Sequence, residues 1–121
     1  MTRTSYQTGM EAEDLALNYL QQQGLQLIAR NVRFKGGELD LIMQSGNTRV
    51  FIEVRFRKSH YYGGALESIT HRKQQRLIRS AMLYNQRFPT HQPWRIDVVC
   101  LSPGPSADSP SIEWLQSAIS S

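Results

Sequence analysis

Residues 38–55 alternate as the two arms of a hairpin do. In "ELDLIM" a period of two sets Leu39, Leu41 and Met43 on one face and Glu38, Asp40 and Ile42 on the other. In "RVFIEVR" it separates Val50, Ile52 and Val54 from Phe51, Glu53 and Arg55. The intervening "SGNT" is a turn signal of hairpin length. Two neighbouring strands follow, each with an apolar face that must be covered. Register decides what meets on the other face. If Gln44 pairs with Arg49 across a four-residue loop, Asp40 faces Glu53 and Glu38 faces Arg55, whereas a two-residue loop sets Glu38 against Glu53. Carboxylates oppose one another in either case, so a positive group is needed between them.

The flanking segments supply covers for those faces. "MEAEDLALNYLQQQ" at 10–23 places Ala12, Leu15, Ala16, Tyr19 and Leu20 at helical spacing, and Gly24 is the expected stop. Glu13 projects at the edge of that apolar face, near Ala16, Leu17 and Leu20. "LQLIARNVRF" suits a first strand and "WRIDVVCL" a fourth. Between hairpin and fourth strand, a basic, aromatic and Gly-bearing loop over 56–69 leads into a helix from about Thr70 to Phe88. That helix has Leu77, Ile78, Ala81 and Tyr84 on its core face, Arg72, Arg76, Arg79 and Arg87 on its outer face, and Gln74 on the core side of its first turn. "SPGPSADSPS", at about 102–111, reads as a flexible connection, and "IEWLQSAI" is ambiguous. The expectation is an α/β sandwich within one domain over residues 1–121: a mixed sheet of four or five strands flanked by the helices at 10–23 and 70–88.

Charge narrows the partners. The net charge is +4, and residues 49–95 hold ten Lys or Arg against only Glu53 and Glu67. Such a field suits a polyanion, with nucleic acid first among them, although a charged face also serves solubility alone. The one cysteine, Cys100, forms no internal disulfide, which fits a reducing compartment. No signal-peptide core and no run near ~20 apolar residues is present, so a cytoplasmic protein without a membrane segment is expected. His60, His71 and His91 lack zinc spacing, and "YYGGAL" lacks the features of a phosphate-cradling loop.

Carboxylates converging from two strands can hold a hard divalent ion, Mg²⁺ or Mn²⁺, whose open positions accept water and phosphate oxygens. "TGMEAEDLALNYLQQQGLQLIARNVRFKGGELDLI", "VFIEVRFR", "YYGGALESITHRKQQRL" and "RIDVV" together resemble the YraN family of small bacterial proteins, from about Gly9 to Val99. The resemblance implies a PD-(D/E)XK, restriction endonuclease-like fold and metal-dependent hydrolysis of branched or damaged DNA, as in Holliday junction resolvases. It implies Glu13, Asp40 and Glu53 as metal ligands, with Glu38 as a fourth acid, and Asp40, Glu53, Arg55 and Gln74 as the catalytic set.

The sequence departs from that pattern at Arg55, where the motif has lysine. Arginine can contact phosphate through its fork but cannot act as a base. Phosphate contacts are expected from Arg57, Lys58, Arg72, Lys73, Arg76 and Arg79, and the chain is compatible with a homodimer. Plainer readings stand beside these. Glu13 pairs with Arg30 or Arg33, Gln74 is a satisfied structural amide, Tyr61 and Tyr62 anchor their loop, and the protein is a binding or interaction module with no turnover.

Overall fold

The computed structural model describes residues 5–57, 66–106 and 109–120. Helix α1 spans Ser5–Gln22, strands β1, β2 and β3 span Gln26–Phe34, Gly37–Ser45 and Thr48–Phe56, and helix α2 spans His71–Arg87. Strands β4 (Trp94–Ser106) and β5 (Ser109–Ile119) complete the chain, and a short 3₁₀ turn at Leu66–Ser68 precedes α2. Thr70 caps α2 by accepting the Lys73 N–H at 3.2 Å. At the other end, Arg49 Nη1 donates to the Phe88 carbonyl at 2.7 Å and to Asn85 Oδ1 at 2.8 Å. A cation is thus placed where the helix dipole is negative.

The sheet has order β1-β2-β3-β4-β5, antiparallel throughout except for the parallel pair β3–β4 that α2 connects. α1 covers one face with Ala12, Ala16 and Leu20 on Leu41, Met43, Val50 and Ile52. α2 covers the other with Leu77, Ile78, Ala81 and Tyr84 on Ile42, Phe51, Ile96 and Val98. The period of two therefore divides the hairpin between two cores, except that Leu39 joins the core under α2 rather than that of Leu41 and Met43, and the result is the mixed α/β sandwich that the alternation predicts. Three local expectations differ. α1 begins at Ser5 rather than Met10, Leu15 lies outside the core at 40% exposure, and strand occupies most of the stretch at 102–111 that reads as a connection.

The hairpin combines the first register with the second loop length, so the expectation that a two-residue loop sets Glu38 against Glu53 is not met. Gln44 pairs with Arg49, and Ser45 pairs with Thr48 as well, so the turn is only Gly46 and Asn47. Gly46 takes φ 56°, a conformation that glycine adopts without steric cost. One step beyond the last ladder pair, Leu41 with Ile52, this register sets Asp40 opposite Glu53. There the strands part: the Val54 N–H is taken by Asp40 Oδ2 at 2.9 Å. Glu38, expected across from Arg55, lies beyond the end of the β2–β3 ladder and pairs on its other side with Arg33 of β1.

Candidate acidic cleft

The parting of β2 and β3 opens a cleft of about 610 Å³ at the C-terminal end of β3, roofed by the first half of α1. Glu13, Glu38, Asp40 and Glu53 line it together with Asn31, Arg33, Arg55 and Lys73. A smaller chamber of about 180 Å³ shares Glu38, Asp40, Glu53 and Lys73 and adds Gly36, Gly37, Arg76 and Leu77. The hairpin's three acids and the helix acid thus share one cleft.

Asp40 and Glu53 stand opposite each other one step past the end of the β2–β3 ladder, and both line the cleft. Burial, then the Glu53 charge and more weakly Glu13, push the Asp40 carboxyl up to about 8 against the opposing pull of the Val54 N–H. Burial and the neighbouring charge therefore favour the protonated form of Asp40 in the folded chain. The positive group demanded by the sequence comes from α2: Lys73 Nζ lies 2.8 Å from Glu53 Oε1.

Glu13 is buried and faces Arg30, whose Nε and Nη2 both lie 3.3 Å from its Oε1, while Nη2 also reaches Asp14 Oδ1 at 2.8 Å. Of the two ion pairs open to it in the sequence, Glu13 makes the one with Arg30. Burial raises the Glu13 carboxyl, with hydrogen bonds from Arg30 and Asn31 opposing. Asn31 adopts φ 53° in β1, a backbone conformation that costs about 1 kcal/mol or more outside glycine. Its side chain reaches the acid cluster from that position.

Gln74 donates its amide to the Ile69 carbonyl at 3.1 Å, fixing the approach to α2. Arg72, Arg76 and Arg79 are exposed on α2, and Arg76 also edges the smaller chamber. The Arg57 N–H donates to the Leu101 carbonyl at 2.8 Å. Lys58, His60, Tyr61 and Tyr62 lie outside the described residues. Sequence reasoning missed Asn31 and put Lys73 among the phosphate contacts. An asparagine within a strand was the available signal for the first, since asparagine tolerates positive φ better than most residues. Nothing in the sequence signalled the second.

Among the described residues, no three His, Cys, Asp or Glu side chains converge closely enough to hold an ion. The three-acid set of Glu13, Asp40 and Glu53 is thus not gathered into one cluster, and a cation that keeps most of its shell as water and phosphate oxygen would be left with Asp40 and Glu53 as its protein donors.

Fold and site together define a mixed α/β protein with an acid pair recessed where two strands of its sheet part. The chain belongs to the uncharacterised protein family UPF0102, whose model matches residues 12–101, in accord with the YraN-like motifs. It is 49% identical over 118 residues to a UPF0102 protein of Janthinobacterium sp. (strain Marseille), covering 97% of this chain and 91% of that one. It is 52% identical over 112 residues to a UPF0102 protein of Pseudomonas putida (strain GB-1), covering 91% and 90%. Among the described residues, no helix is long and apolar enough to cross a membrane.

Proposed function

We propose that this protein binds nucleic acid and hydrolyses phosphodiester bonds with a divalent cation, on a PD-(D/E)XK-like framework, with branched or damaged DNA as substrate. The observation that carries the reading is the Asp40–Glu53 pair, with Asp40 half-buried and Glu53 buried, set against each other and open to a cleft. Two acids set against each other in a recess repel, and a divalent cation between them neutralises both. Asp40 and Glu53 would hold Mg²⁺ or Mn²⁺, with Glu38 and Glu13 as flanking charge. Bound there, the cation would polarise the phosphoryl group and lower the pKa of a bound water.

The chain's own residues orient the rest. The Val54 N–H fixes the Asp40 carboxylate, and Arg55 offers a fork to a phosphate oxygen at the cleft wall. Arg72, Arg76 and Arg79 neutralise phosphates along α2 without reading bases. Gln74 supports the site through the Ile69 carbonyl.

A panel of flap, junction, single-stranded and duplex substrates with Mg²⁺ or Mn²⁺ tests the proposal. Cleavage of a branched substrate that Asp40→Asn abolishes is the expected result; no cleavage of any member refutes turnover. A second reading, a binder without turnover on the same fold, is favoured by Lys73 already occupying Glu53 and by arginine at the motif's lysine position. Salt-dependent binding of the same panel without cleavage would establish it.

A further inference from the structure

Lys73 stands where the two chambers of the cleft meet. The cap of α2 puts it there: Thr70 holds the Lys73 N–H, and a first-turn side chain reaches back past the helix end toward β3. Its side chain is 35% exposed, and that of its partner Glu53 only 4%. The ion pair thus joins a carboxylate fixed by burial to a cation with access to the cleft. Lysine's flexible stem and three rotatable donors let the ammonium change partners without leaving the cleft. Beyond it the smaller chamber is lined by Arg76 and by Gly36 and Gly37.

We propose that Lys73 is the counter-ion the acid pair carries in the cation-free protein, and that a divalent cation entering between Asp40 and Glu53 displaces its ammonium onto a phosphate oxygen of a bound strand beside Arg76. The proposal rests on the acid pair being a cation site, as proposed above. An ammonium and a divalent ion on one carboxylate repel each other, so each weakens the other's hold. A strand that accepts the ammonium relieves the competition. Metal and nucleic acid then strengthen each other's binding by the same factor.

Calorimetric titration of Mn²⁺ into wild type, Lys73→Met, Lys73→Arg and Asp40→Asn tests the first half. Lys73→Met should bind Mn²⁺ on the order of tenfold more tightly than wild type, as expected when one neighbouring positive charge is removed at a half-buried site. Lys73→Arg should match wild type, and Asp40→Asn should lose binding. If Lys73→Met does not fold with Glu53 unpaired, Lys73→Gln, whose amide still donates to Glu53, carries the same expectation. Wild-type binding that Asp40→Asn abolishes but that neither neutral Lys73 variant tightens would overturn the proposal and leave the cation site standing. No Mn²⁺ binding by any variant would remove both.

The second half is read from the salt dependence of binding to a phosphorothioate-linked single-stranded oligonucleotide. Wild type and the neutral variant should show equal slopes in EDTA. In Mn²⁺ the wild-type slope should be steeper by about 0.7 to 1, one phosphate contact more. Equal slopes in Mn²⁺ would overturn the transfer to phosphate.

Discussion

Asp40 shows how far neighbours can move one group. Its carboxyl, ordinarily near 3.8, is pushed up to about 8 because burial and Glu53 both disfavour the charged form. The folded state therefore keeps a proton that the unfolded chain releases, so this stability is fully present below about pH 4 and is lost as pH rises toward 8. In EDTA, wild-type Tm should fall across that window. Asp40→Asn keeps the acceptor for the Val54 N–H without the charge and should lose most of the decline, with the variant's advantage growing from pH 4 to 8. Parallel Tm-versus-pH curves for the two proteins would refute the shifted carboxyl. The acids themselves were legible in the sequence, as residues breaking the hydrophobic alternation. The upward shift at Asp40 was not, because it depends on burial and on Glu53 being brought opposite it by the fold.

At the scale of elements, carboxylates close gaps in the sheet. Asp40 takes the Val54 N–H where the β2–β3 ladder stops, and Asp97, fully buried, does the same between β4 and β5. Asp97 accepts from the Ser117 N–H at 2.9 Å, Trp114 Nε1 at 3.0 Å and Arg95 Nε at 3.0 Å, just where the β4–β5 register shifts and Ser117 takes φ 50°. Asp97→Ala should cost about 3–5 kcal/mol in urea denaturation, since it leaves a half-buried guanidinium and two donors without their acceptor. A loss under about 1 kcal/mol would show that the network is dispensable. The same irregularity explains why "IEWLQSAI" is ambiguous in sequence: a bulge interrupts the period of two. In α2, by contrast, every expected core residue is buried, because a regular helix preserves its period from end to end.

For the molecule as a whole, the basic surface on α2 and the acidic cleft lie side by side, with Arg76 belonging to both. If the surface engages phosphates, Arg72→Ala, Arg76→Ala and Arg79→Ala combined should lower the salt slope of nucleic-acid binding by about two to three and weaken all sequences alike. An unchanged slope would put the nucleic acid elsewhere. The sequence by itself determined the two helices, the first four strands, the hairpin and the identity of the acids, because each follows from local periodicity and turn chemistry within a few residues. Tertiary structure alone decided the two-residue turn, the left-handed Asn31, the pairing of Glu13 with Arg30, and the lysine of α2 that meets the acid of β3. The last two of these join side chains that are distant along the chain, and only the packing of both helices against one sheet brings them within hydrogen-bonding reach.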